Sequence, residues 1–404
     1  MQTSSRQTYL DWLRIIAIAG VLIFHSAMPY VAYWEWHIKN NATSHVLLEM
    51  NDFLHRFRMP LLFFISGTVS YYMLQSRSGS GFLGLRFRRL FVPLLLGILV
   101  IVPPQVYLER VTQGYKGNFW QFYAGMFRTG AYPKGNMSWH HLWFICYLLV
   151  YDILCAPLFV WWSSPAGKKW LQKLNGLASG KWIYLLMAPS VISHAFLSRM
   201  FGATNDLVHD YAYFPYWMLY LVAGFVCIAH PQLMDSLERN RRSSFALAFV
   251  SIITINYFRW NGLEPAHGWP GWAGWCYTAL AVVSAWMWVF TAVGYGKRYL
   301  NRKSRMLAYA NEAVYPFYIL HQTVIVILTY YLSTLQEDIG LKYIFTVVMT
   351  FMISMSIFHL FIRPYAPMRF LFGMKPATRR EAKTGTATGT PDSPALQPHT
   401  VPLT

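Results

Sequence analysis

Residues 10–25 read LDWLRIIAIAGVLIFH, and Arg14 and His25 bracket ten residues without a charge. As a helix the segment brings His25 back to the face of Arg14, since eleven steps of about 100° miss a whole number of turns by only about 20°. The rise between them is about 16 Å, half the thickness of a bilayer's hydrocarbon core. An ionisable side chain at that depth is costly and normally faces a cavity or the inside of a helix bundle. Alternatively, Arg14 is a snorkelling anchor at the helix end and His25 hydrogen-bonds a neighbouring helix.

The remainder of the chain repeats this apolar character. Of 404 residues, 55% are hydrophobic and 12% charged, about half the charge of a soluble domain. Apolar runs long enough to cross a bilayer as helices recur near 10–33, 58–75, 90–108, 139–162, 182–199, 213–230, 244–258, 271–294, 312–332 and 341–362. Their uninterrupted runs do not alternate like barrel strands, and open sheet edges cannot sit in lipid. The expected fold is all-α, a polytopic transmembrane bundle of about ten spans.

The net charge of +18 resides in clusters between apolar runs rather than on one soluble face, which argues against a nucleic-acid partner. One alternating set of connections holds Arg77, Arg86, Arg88 and Arg89, then Lys168, Lys169, Lys173 and Lys181, then Arg239, Arg241 and Arg242, then Lys297, Arg298, Arg302, Lys303 and Arg305. By the positive-inside rule these connections and both termini are cytoplasmic. Cys146, Cys155, Cys227 and Cys276 lie in or beside predicted spans without metal-ligand spacing, so neither a disulfide framework nor a metal site is expected from them. The first apolar run is broken by Arg14 and His25 and has no small-x-small cleavage pattern after it, so it reads as a retained helix. Residues 1–370 read as one membrane domain, and the Thr-, Pro- and Ala-rich residues 371–404 as a largely disordered cytoplasmic tail.

Arg14, ten residues and His25, within LDWLR…FH, resemble the first-helix motif of acyltransferase family 3, integral-membrane enzymes that move acyl groups onto exported glycans. The resemblance continues through NDFLHRFRMPLLFFISG (51–67), RFRRL (86–90), HLWF (141–144) and NEAVYPFYILHQ (311–322). With FLFGMKP (370–376) it is nearest to the subgroup that succinylates osmoregulated periplasmic glucans, although Glu312, Pro316 and Gln322 depart from that subgroup's pattern. The family resemblance implies an acyl-CoA donor, no permanently bound cofactor, a catalytic role for His25 and a bacterial inner membrane as location. Neutral imidazole suits either role open to His25, base toward a sugar hydroxyl or nucleophile that carries the acyl group.

The same resemblance implies donor-binding roles for Arg86 and Arg89. They share a helix face at i,i+3, and guanidinium forks fit phosphate oxygens. Arg14 would then hold the donor or polarise its thioester, with Asp11 one turn earlier as an orienting partner. Asp52 and His55, also at i,i+3, are either an acid–base pair beside the incoming hydroxyl or a helix-end pair satisfying each other. His141 joins the candidate site by its match to the family pattern, while His140 points to another face. His321 sits halfway along the ninth run, facing either a cavity or a core hydrogen bond. Trp34, Trp36 and Trp269 suit a sugar platform and equally an interfacial aromatic belt.

The resulting expectation is a membrane O-acyltransferase moving acetyl or succinyl from cytoplasmic acyl-CoA to an exported or envelope glycan. Its partners are the lipid bilayer, acyl-CoA, the glycan, and glycan-synthesis or export proteins. The competing class is a proton-coupled transporter, for which intramembrane histidines would carry the proton.

Overall fold

The computed structural model describes residues 7–264 and 271–376. Fourteen α-helices occupy them: α1 (Thr8–Ala27), α2 (His45–Leu74), α3 (Gly79–Leu96), α4 (Pro103–Thr112), α5 (Phe119–Met126), α6 (Trp143–Ser163), α7 (Pro165–Gln172), α8 (Ala188–Leu197), α9 (Tyr213–Ala229), α10 (Pro231–Trp260), α11 (Gly271–Tyr299), α12 (Arg305–Leu332), α13 (Ile339–Ile357) and α14 (Ala366–Leu371). Among the described residues there is no strand, only two isolated bridges.

All ten apolar stretches fall on helix, and six are long and apolar enough to cross a membrane: Thr8–Tyr30, Gly79–Thr112, His140–Ser163, Gly271–Tyr299, Arg305–Leu332 and Ile339–Ile362. A seventh is added if Tyr213–Ala229 and Pro231–Arg239, which meet at 103°, form one broken span. The other expected stretches lie on α2 and α10, both rich in polar residues, and on the short apolar stretch Trp182–Leu197. The chain is thus a helical, multi-pass membrane protein.

Local chemistry starts the helices where it should. Ser44, Ser78, Ser304 and Asp338 each accept the backbone N–H three residues on, capping α2, α3, α12 and α13. The run α3–α4 is broken by a π-helical turn at Gly97–Ile101, just ahead of Pro103 and Pro104. Such turns mark irregularities that regular i→i−4 bonding would iron out.

The tightest packing joins α2 to α9. A Cβ on Gly67 would overlap the Leu221 carbonyl, and one on Gly224 would overlap the Phe64 carbonyl. Backbones approach this closely only where both sides are small, as in membrane helix pairs generally. Gly67 thus serves close helix packing. Gly224→Ala should force the helices apart at an overpacking cost of about 1–3 kcal/mol. A lower unfolding midpoint in detergent is the expected result, with Gly84→Ala, whose Cβ meets nothing, as the unaffected control.

Candidate functional site

The last turn of α1 carries His25 into the bundle, beside His321 of α12 and near Arg58 of α2 and His141 of the turn before α6. Its Nδ1 lies 2.8 Å from Nε2 of His321 on α12, and the two rings stack with centroids 5.1 Å apart. Nδ1 of His321 lies 2.6 Å from the Tyr318 carbonyl oxygen. A carbonyl only accepts, so His321 carries its proton on Nδ1 and presents a lone pair at Nε2. With both rings neutral, His25 must then donate from Nδ1. That leaves a lone pair on His25 Nε2, where a base or nucleophile needs it.

His141 completes the cluster. Its Nε2 donates to the Ile319 carbonyl at 3.0 Å, and its ring meets that of His321 edge-on at 5.1 Å. Nδ1 of His141 is consequently a second lone pair, buried and without a hydrogen-bond partner. Sequence reading weighed His321 as a core histidine or a cavity residue. The structure makes it the group that fixes the tautomer of His25.

The NDFLHRFR segment holds the end of α1. Asn51 Nδ2 donates to the Phe24 carbonyl at 3.1 Å, and the Arg58 guanidinium covers the Phe24 ring at 3.4 Å, a cation–π contact. His55 stacks on the same ring at 5.9 Å and accepts from Arg58 at 3.3 Å. Asp52 does not form the expected pair with His55. It is bound by Arg56 at 2.8 Å on its own helix and approached by Arg259 at 3.8 Å. Charge explains the change: two guanidiniums outcompete one imidazole for the carboxylate.

On the other side of the histidine cluster lies a cavity of about 470 Å³. Arg14 and Ile18 of α1 line it, and His25 is two turns further along the same face. Tyr318, whose carbonyl fixes His321, is also on its wall, with Leu62, Phe144 and Leu148. Arg89, Asn311, Glu312, Arg369 and Lys375 give it a polar, mainly cationic part. Arg14 donates to Asn311 at 2.7 Å and lies 3.9 Å from Asp11, the orienting partner expected from sequence.

Arg86 also lines this cavity, but its charge is answered inside the protein. Its guanidinium meets Asp152 at 2.6 Å and Ser70 at 2.9 Å, with Asp152 fully buried. Arg86 and Arg89, the two arginines expected at the donor site, thus both line the cavity, Arg86 with Asp152 and Ser70 on its guanidinium. Asp152 went unremarked in the sequence, although it is the single charged residue of α6, a standing signal of function or pairing.

Residues 373–376, assigned to the tail from composition, line the cavity. Gly373 has φ +66, and a Cβ there would press on the Arg89 carbonyl and Pro93. Arg369 and Arg363 both bind Glu312, which anchors this segment against α12. Trp34 lies against His55 and Trp36 against His25, while Trp269 lies outside the described residues, as do 377–404.

A second polar cluster adjoins the histidines. His37 Nδ1 is 2.6 Å from Glu109 Oε2, and the Tyr132 hydroxyl donates to Glu109 Oε1 at 3.0 Å. Burial, with the Glu109 carboxylate beside it, pushes the Tyr132 phenol up to about 12, so it remains a donor. Nothing in the composition of residues 30–37 or 103–112 signalled this convergence, because its members come from separate loops and helices.

The bundle thus holds a histidine cluster near a cavity whose polar lining is mainly cationic, groups that can serve group transfer. Residues 7–359 match the acyltransferase-3 family model, described as an acyltransferase domain. The chain belongs to that family and is an acyl-transferring membrane enzyme. It is 25% identical over 401 residues to glucans biosynthesis protein C of Escherichia coli O139:H28 (strain E24377A / ETEC), covering 94% of this chain and 97% of the relative. Against glucans biosynthesis protein C of Salmonella typhimurium (strain LT2) the identity is 24% over 402 residues, with the same coverage. No solved structure matches the chain significantly.

Proposed function

We propose that this enzyme transfers an acyl group, acetyl or succinyl, from acyl-CoA to a hydroxyl of an exported or cell-envelope glycan. The observation that carries this reading is the one-directional histidine chain. It leaves Nε2 of His25 unprotonated, two turns from a cavity whose polar part bears Arg14, Arg89, Arg369 and Lys375. A glucan acceptor is favoured by the name borne by the relatives, glucans biosynthesis protein C.

In this scheme the donor's phosphates rest on Arg89 and Lys375, and its acyl-pantetheine arm follows the apolar wall toward His25. His25 Nε2 removes the proton of the acceptor hydroxyl. The oxygen then attacks the thioester carbonyl, the C–S bond breaks, and the departing thiolate takes the proton back from His25. Attack by His25 Nε2 itself, with an acyl-imidazole between two half-reactions, uses the same lone pair. Some ten spans in the inner membrane with both termini cytoplasmic, as the basic connections favour, would deliver donor and acceptor from opposite sides.

The reading is tested with purified protein in detergent and radiolabelled acetyl-CoA and succinyl-CoA. Thioester cleavage or protein labelling that depends on His25 supports it; folded protein that neither binds nor turns over either donor sinks it. Arg89→Ala should raise KM for the donor about tenfold or more, the worth of a charge-assisted hydrogen bond, with kcat little changed. A KM left unchanged would remove Arg89 from the donor site.

A further inference from the structure

We propose that His37, Glu109 and His140 form a divalent-metal site, with a donor set matched to zinc. One ligand comes from the loop after α1, one from α4 and one from the turn before α6. One donor atom from each lies within 4.8 Å of the other two. Two imidazoles and one carboxylate with a fourth position left over is a familiar set for an open zinc site. Donors on one tetrahedral zinc stand about 3.3 Å apart. The 2.6 Å His37–Glu109 contact lies below that and the 4.8 Å limit above it, so small side-chain shifts suffice.

A plain hydrogen bond between His37 and Glu109 explains two of the three residues. It does not explain His140, whose Nε2 is buried with no partner. His140 is held there at φ +41, a left-handed conformation that a residue with a side chain seldom adopts without cause. Its Nδ1 is 2.8 Å from Ser138 Oγ, which also accepts the His140 backbone N–H at 3.0 Å. A histidine whose far nitrogen donates to a neighbour is oriented to ligate through the near one.

The carboxylate is oriented in the same way. Tyr132 holds Glu109 Oε1 and turns Oε2 toward the histidines. Arg110 lies 3.8 Å from Oε1, the oxygen facing away, and its guanidinium is occupied by Asn136, Gln113 and the carbonyls of Pro133 and Gly135. Gln322 Nε2 stands 3.2 Å from His37 Nε2, while Gln322 Oε1 is buried without a partner. Turning that amide over, at the expense of its contact with Gln105, lets Oε1 accept from His37 Nε2 and frees Nδ1 to ligate. The single imidazole proton, now between His37 Nδ1 and Glu109, moves to Nε2 in that arrangement, so Nδ1 and the carboxylate both meet the ion unprotonated.

Trp36 separates this cluster from the histidine chain by one ring, 4.7 Å from His37 and 5.6 Å from His25. A bound ion there would supply Lewis acidity to a hydroxyl in its open position. The site is independent of which acyl donor the enzyme uses.

The test uses full-length protein without a histidine tag, its metal content read by plasma mass spectrometry. The expected result is close to one zinc per chain for the wild type, with Glu109→Gln and His140→Ala nearly zinc-free. Tyr132→Phe, which keeps all three ligands, should weaken zinc binding about 10- to 100-fold. If His140→Ala fails to elute as a single species, Glu109→Gln and Tyr132→Phe carry the test. Wild type that holds no metal, and whose unfolding midpoint is unmoved by added zinc, cobalt(II) or manganese, overturns the proposal. So does zinc retained undiminished by Glu109→Gln.

Discussion

His25→Ala should lower kcat for acyl transfer by about 10²–10⁴-fold, the usual worth of a positioned general base, while donor binding persists. The reason lies in the direction of the hydrogen bonds. The Tyr318 carbonyl fixes the proton of His321, and His321 Nε2 in turn fixes the proton of His25. Removing His25 deletes the lone pair on which this series of hydrogen bonds ends. His321→Phe fills similar space but cannot accept from His25. It should lower kcat while leaving KM for the donor near the wild-type value, and alter the pH profile of kcat, because the His25 proton no longer has a fixed nitrogen. Wild-type kcat in either variant, in protein that elutes as a single species, would remove these rings from the chemistry.

The second large effect is structural. Asp152→Ala should destabilise the protein by about 3–5 kcal/mol, since it leaves the Arg86 charge buried without its counter-ion. Arg86 is only 7% exposed and Asp152 not at all, so water cannot replace the lost partner. The double variant Arg86→Met with Asp152→Leu should recover most of that loss, because apolar replacements of a buried pair are often neutral or better. Thermal unfolding in detergent separates the cases. If the double variant unfolds no later than Asp152→Ala, the pair is held for something other than charge balance. This bears on the enzyme, because the ion pair joins α3 to α6 along the wall of the cavity.

Much of this architecture was legible in the residues. Apolar runs located the helices, since a helix in lipid must satisfy its own backbone and the sequence has to supply an uninterrupted apolar face. The Arg14–His25 spacing placed both on one face, and the structure puts Arg14 on the cavity wall with His25 beyond it. Pairings between elements were less visible. Asp52 and His55 are one turn apart on α2, yet each is claimed by an arginine, and Arg259 reaches Asp52 from more than two hundred residues away. The pairing of Arg86 with Asp152, 66 residues distant, left no mark in the local sequence. Tautomers were out of reach altogether. They depend on which carbonyl a ring nitrogen meets, and that is decided by helix packing rather than by spacing.

The segment around Gly373 has a practical consequence. Because Met374, Lys375 and Pro376 form part of the cavity wall, a reporter or affinity partner fused directly after Pro376 would be attached to that wall, which decides which fusions remain useful for measuring turnover.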